Sequence, residues 1–403
     1  MDKILVKTFH YEKTKLNIEK LIFCLALFLP CVNAALSLFK IDYILYYYCL
    51  ISVLLIINSL CRFNVVIDLI KILLLIIIFA FNYVCYGLYY VTHQDFYGVF
   101  FLIVVLFFSP SPKSFKNYFY ELKSVIKIST LIYLGLLFVS LFYGKGYDIF
   151  SSYQTYKVLF GPYNLSHTLS YELIFYLIIN WVAFKFSLKN IIVLSILFVS
   201  LLLTQVRTAF LAVLVIILFE ILYAKSLNKE QKKLIYAIIL FCVFLFALAY
   251  YAGWLENIPF LSKTIASAES GSVSNGRELY VEIACRYYNN FDFSKKLFGA
   301  SMDIVRAIFL KEINVDIHCH NDIFNLLLGY GLIGLILVLV SILSFVKSNN
   351  RLFFLIFIMV FIWYNGLYMY LNFVFLLPII RAIYFQKNTK SQGVYNGTAN
   401  SSK

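Results

Sequence analysis

Apolar residues fall in long uninterrupted runs along almost the whole chain, separated by shorter polar connections. The runs cover approximately residues 21–39, 43–60, 65–90, 96–109, 128–143, 171–186, 191–206, 208–224, 234–253, 322–346, 352–366 and 370–385. Most approach the roughly 20 residues that a helix needs to cross a hydrocarbon core. None shows the residue-by-residue alternation of a membrane barrel strand, whose segments run about ten residues. The pattern predicts an all-α polytopic membrane protein with about twelve transmembrane helices. The boundary between the last two runs, placed at a tight turn near residues 365–372, is the least sharply marked.

Two polar segments are longer than a connection requires, 144–170 and 254–321. The second holds 7 basic and 8 acidic residues in helical spacing, which predicts a partly helical loop and argues against disorder. The organisation that follows is a cytoplasmic N-terminus over 1–20, a transmembrane domain over 21–386 with two long outer loops, and a disordered cytoplasmic tail over 387–403.

Composition sharpens this picture. Of 403 residues, 62% are hydrophobic and 13% charged, which excludes a single water-soluble core. The formal charge of +14 would suit nucleic acid if it formed one basic patch, but it is scattered between apolar runs. With the N-terminus inside, 23 of the 34 Lys and Arg fall on the inner segments and 11 on the outer ones, seven of those in the long loop. The bias reads as orientation, with both termini cytoplasmic and no nucleic-acid partner. The five lysines before residue 21 and a small residue at Ala34 resemble a signal peptide, yet the apolar run is too long for one and reads as a retained first helix. Six of the eight cysteines lie in or beside apolar runs; Cys285 and Cys319, in the long loop, allow one disulfide at most.

Ionisable residues inside spans are costly and usually functional. Asp68, Lys71 and Glu220 lie near cytoplasmic ends, where snorkelling to the interface accounts for them, and no ion relay is visible. That weighs against an ion-coupled transporter and leaves a lipid-linked oligosaccharide flippase as an alternative of another class. Arg207, in TQVRTAFLA, occupies a two- or three-residue outer connection. It reads either as an interfacial anchor or as a cation for an anionic lipid headgroup. In SNGRELYVEIACRYY, Asn275 and Glu278 have capping-box spacing, and Glu282 to Arg286 is a favourable helical pair. Arg277 then falls in a first helical turn, where unpaired N–H groups favour phosphate; a solvated surface arginine is the plainer reading.

His318 and His320 flank Cys319 before the tenth run, with Asp316 and Asp322 nearby. Residues two apart do not share a helix face and no second ligand cluster occurs, so the spacing predicts no metal site and no cofactor. Asn321 or Asp322 can cap the span, leaving His320 just outside it at the membrane level of Arg207. A neutral imidazole there can take a proton from a sugar hydroxyl. Gly329, Gly331 and Gly334 would allow close helix contact beneath it.

At these residues the chain resembles the superfamily of O-antigen polymerases and O-antigen ligases. The family pattern of His, then Asn, Ser or Gln, nine residues, Gly, two residues and then Gly, Thr or Tyr is met by His320, Asn321, Gly331 and Gly334. The turn arginine Arg207, the start of the large loop at Arg277, LFGAS ending near Gly299, and GPYN with Asn164 are supporting similarities. The resemblance covers mainly residues 160–345. It implies a metal-independent glycosyltransferase at the outer face of the bacterial inner membrane, acting on undecaprenyl-diphosphate-linked oligosaccharide among membrane lipid. Arg207 and Arg277 would hold the diphosphate and His320 would act as base. Asn321, Asn164, Arg286 and His318 are the accessory substrate-binding candidates. The implied activity is polymerisation of O-antigen or capsular polysaccharide, with a chain-length regulator as an optional partner; ligation to lipid A core is the alternative.

Overall fold

The computed structural model describes residues 2–41, 43–61, 65–86, 93–107, 112–143, 146–151, 155–184, 187–206, 208–214 and 277–345, with isolated helical positions between 230 and 248. The expected eleventh and twelfth spans, the tail, Arg207, Glu220 and the Asn275 cap lie outside the described residues, as does most of the eighth and ninth spans.

Among the described residues, seven helices occupy the first half: α1 (Asp2–Leu38), α2 (Ile44–Leu60), α3 (Val65–Tyr86), α4 (His93–Phe107), α5 (Pro112–Tyr143), α6 (Ser166–Phe184) and α7 (Leu188–Leu203). Four are described in the second: α8 (Arg277–Asn290), α9 (Phe293–Phe298), α10 (Met302–Ile313) and α11 (Asp322–Phe345). Among the described residues, four helical stretches are long and apolar enough to cross a membrane, Ile18–Leu38, Val66–Val84, Glu121–Tyr143 and Asp322–Ser341. Large apolar side chains stand exposed on their outer faces, for example Val66, Ile70, Leu73 and Phe138. Such faces are stable when the surrounding medium is hydrocarbon, so the chain is a membrane protein of many apolar helices.

The helix ends follow local chemistry. Ser187, Asp292, Ser301 and Asn321 each accept a bond from a backbone N–H of the turn they precede, satisfying donors that the helix leaves orphaned. Asp68 does not snorkel free: it is buried, and Lys71 pairs with it at 3.2 Å while donating to the Leu106 carbonyl at 3.0 Å. The long α1 continues through the expected N-terminal segment and is tied to α5 by a Lys20–Glu121 ion pair.

Two features depart from the sequence expectation. The first outer loop contains an antiparallel hairpin, β1 (Gly146–Ser151) with β2 (Thr155–Gly161), so the protein is mostly but not wholly helical. Its run of Tyr, Ile, Phe, Thr, Val and Leu is a strand composition that run length alone passes over. Second, α11 is broken at Gly331, whose backbone is left-handed in φ (66°, ψ −170°). The break releases helix carbonyls inside an apolar layer, where an unpaired one is costly. The segment after α9 supplies the partners: Ala300 N–H donates to Leu328 at 2.7 Å and Ser301 N–H to Gly329 at 3.0 Å. Gly299 (φ 83°) makes that approach feasible, since a Cβ there would stand 2.3 Å from the Gly329 oxygen. LFGAS is therefore a brace on the kinked helix.

Candidate functional site

The site grows from the start of α11. Asn321 accepts from the Ile323 N–H at 3.0 Å and its own carbonyl takes the Asn325 N–H at 2.9 Å. One residue earlier the chain must turn, and His320 adopts a left-handed backbone with φ 50°. The turn is held from both sides. Cys319 N–H donates to Asn325 Oδ1 at 3.0 Å, and the Cys319 thiol donates to the Tyr280 carbonyl at 3.5 Å. Cys285 and Cys319 are both free thiols, so the disulfide the loop allowed is not formed.

This turn sets the His320 imidazole against α8. Its ring centre lies 5.8 Å from that of Tyr280 and 5.0 Å from that of His318. Arg277 is the first residue of α8 and Tyr280 stands one turn later on the same face. An arginine at a helix start, beside the N–H groups that the first turn leaves without intrahelical partners, is a disposition that favours an anion. Nδ1 of His320 is buried and has no hydrogen-bond partner among the described residues. Burial lowers the imidazole to about 3, helped by His318, Arg277 and His167, so the ring is neutral at physiological pH. His318 is lowered to about 4, again chiefly by burial and then by Arg306, with Asp316 opposing.

The outer helices hold this geometry through ion pairs. Arg306 clamps Asp316 with two bonds, the Nε one at 2.7 Å, which ties the irregular segment leading to His318 onto α10. Arg286 pairs with Glu312, and Tyr287 donates to the same carboxylate at 2.6 Å, joining α8 to α10. The Glu282–Arg286 pair expected within α8 gives way to this bond between helices. Both partners of the Arg286 pair touch solvent, so Arg286→Ala is expected to cost less than about 1 kcal/mol. Turnover should stay within about twofold of wild type in a transfer assay. A tenfold loss of substrate affinity would instead assign Arg286 to the substrate.

The remaining candidates are distributed as follows. Asn164 is exposed in the turn after β2, and Asn321 is buried in its cap. Arg207 lies outside the described residues; its neighbour Thr208 places Oγ1 3.1 Å from the Tyr171 hydroxyl on α6. His167, in the first turn of α6, is the smallest of the neighbouring positive groups that lower the His320 imidazole. Sequence reading missed Glu172, an acidic residue inside an apolar run, the signal that most often marks a working residue in a membrane. Among the described residues no three His, Cys, Asp or Glu side chains form a metal-ligand group.

No curated protein matches the chain. Residues 192–339, a span that runs from α7 through Arg207, α8 and His320 to the kinked α11, match the family model described as O-antigen ligase, which supports membership of the O-antigen ligase and polymerase superfamily.

Proposed function

We propose that the protein is a polysaccharide polymerase of the bacterial inner membrane. It transfers a growing glycan from undecaprenyl diphosphate to a hydroxyl of a new lipid-linked repeat unit at the outer face. The observation that carries this reading is the pairing of a buried, neutral His320 with an arginine at a helix start, inside the segment that matches a glycan-transfer family.

In the proposed reaction the acceptor hydroxyl donates to the His320 imidazole and attacks the anomeric carbon. The bond from that carbon to the diphosphate oxygen breaks, and the oxygen leaves with the electron pair. Arg277, with Arg207, binds the diphosphate and stabilises its developing charge. The proton passes to His320 and from there to solvent or to the departing diphosphate. Asn321, by fixing the cap, and with it Asn164 and His318 serve substrate binding in this reading, whereas Arg286, tied to Glu312, is left to the joint between α8 and α10. No step calls for a metal, so chelation by EDTA is expected to leave turnover unchanged within about twofold, whereas loss of activity restored by a divalent ion would contradict this.

The free enzyme holds His320 far below the usual histidine range through burial and neighbouring positive charge. A bound diphosphate offsets that positive charge and raises the ring's basicity, so the base strengthens only with donor in place. For the free enzyme, kcat/KM should lack a histidine limb from about pH 5 to 8, while kcat should lose activity on acidification at a higher pH than kcat/KM does. Coincident acid limbs near pH 6.5 in both profiles would count against it. The folded state keeps His320 neutral while the unfolded chain protonates it below its ordinary value of 6.5. This group's contribution to stability therefore falls as pH drops from about 6.5 toward 3, by up to about 1.4 kcal/mol per pH unit.

The family description names a ligase, which supports a second reading, transfer of the finished chain to lipid A core. Gene deletion separates the two. Surface polysaccharide reduced to one repeat unit on core fits the polymerase; long lipid-linked chains accumulating beside bare core fit the ligase.

A further inference from the structure

The helix α6 is enclosed by the rest of the bundle, with every residue from 169 to 180 buried. It carries one carboxylate, Glu172, which is 1% exposed. A buried carboxylate within an apolar bundle is costly, and satisfied apolar packing would join the same helices at least as well. Its partners show what it adds. Asn33 on α1 donates to Oε1 at 2.7 Å, and the Tyr163 hydroxyl donates to Oε2. Tyr133 on α5 sets its ring, tilted, 4.8 Å from that of Tyr176, whose hydroxyl donates to the Leu27 carbonyl at 3.0 Å.

Tyr163 belongs to no helix. It lies in the turn that leaves β2 at Gly161 (φ 59°), and it is buried while its neighbours Asn164 and Leu165 are exposed. Three residues on, α6 begins at Ser166, and His167 in its first turn is among the groups that lower the His320 imidazole. The carboxylate thus fixes the height and tilt of an outward-facing turn, which apolar contact, being non-directional, cannot do.

We infer that Glu172 is a positioning residue, acting through Tyr163 to hold the turn 162–167 against the lipid-linked glycan. It lies outside the segment 192–339 that matches the family. The inference rests on the glycan-transfer reading for its functional consequence and on geometry alone for its structural one. The reacting groups His320 and Arg277 stand on other elements, so loosening this turn weakens substrate engagement and spares the chemical step.

The test uses the purified full-length protein in proteoliposomes with an undecaprenyl-diphosphate-linked repeat unit. Tyr163→Phe and Glu172→Ala are expected to raise KM about five- to tenfold with kcat per folded enzyme within about twofold. Glu172→Gln should keep KM near wild type, because its carbonyl still accepts from Asn33 and its amide can donate to a reversed Tyr163 hydroxyl. Adding Tyr163→Phe to Glu172→Gln should restore the defect. A second readout needs no transfer activity: with Cys49 and Cys285 replaced by alanine, Leu165→Cys should react severalfold faster with an impermeant maleimide when Tyr163 is Phe. Unchanged KM with unchanged labelling overturns the proposal. So does a loss of folded protein whose surviving fraction has normal KM, which marks a structural role only. If Glu172→Ala does not accumulate, Tyr163→Phe decides. Faster labelling in a protein whose wild type transfers no glycan upholds the anchor and refutes the transferase reading instead.

Discussion

His320→Ala is expected to lower glycan transfer by about 10²- to 10⁴-fold while leaving the protein at wild-type levels in the membrane. The size follows from removing the group that takes the acceptor proton, since the alternative acceptor is water. Preserved folding follows from local structure. The turn is held by the Cys319 N–H bond to Asn325 and by the Asn321 cap, neither of which uses the imidazole. The left-handed φ of 50° at this position is somewhat less comfortable for alanine than for histidine. His320→Asn, which tolerates that backbone and lacks a comparable base, is therefore the matched control: it should be equally inactive and at least as well folded. Surface polysaccharide length on gels and protein level on blots check both. Full complementation by either variant would remove His320 from the chemistry.

Gly331→Ala should cost about 3 kcal/mol or more and deplete folded protein. The left-handed backbone at Gly331 admits few side chains, and a Cβ would stand 2.3 Å from the Leu297 oxygen and 2.6 Å from the Gly299 nitrogen. Both are backbone atoms, so no side chain can swing away. Relief would require LFGAS to lift from α11, and the Leu328 and Gly329 carbonyls would lose the N–H partners that Ala300 and Ser301 supply. Gly135 on α5 is the control, because a Cβ there meets nothing within 4 Å. Gly135→Ala should be neutral or slightly stabilising, by up to about 1 kcal/mol. Melting temperatures in detergent would read both, and a Gly331→Ala protein as stable as wild type would mean that the brace carries no weight.

Much of this was legible in residue order because bilayer thickness imposes run length. The helices α1, α3, α5 and α11 stand where long apolar runs demand them. The start of α11 was legible for a similar reason: a capping asparagine before an apolar run leaves few places for the helix to begin. Arg277 at the head of α8 followed from capping chemistry in the same way. What stayed hidden depends on contacts between segments far apart. Glycine spacing in α11 suggested close helix packing, but only the position of Gly299 explains why the helix breaks at Gly331. Arg286 had a suitable acid four residues before it, yet Glu312 on another helix takes the bond. Glu172 was visible as a charge in an apolar run, whereas its link to Tyr163 and Asn33 is tertiary.

The most direct test of glycan transfer is a reconstitution containing the purified protein, vesicles and an undecaprenyl-diphosphate-linked repeat unit as sole substrate. The expected result is a ladder of longer carrier-linked glycans and one undecaprenyl diphosphate released per bond formed, both abolished by His320→Ala and by Arg277→Ala. A ladder that persists in both variants would contradict the assigned site, and a wild-type protein that neither elongates this substrate nor passes its glycan to lipid A core would contradict the function itself.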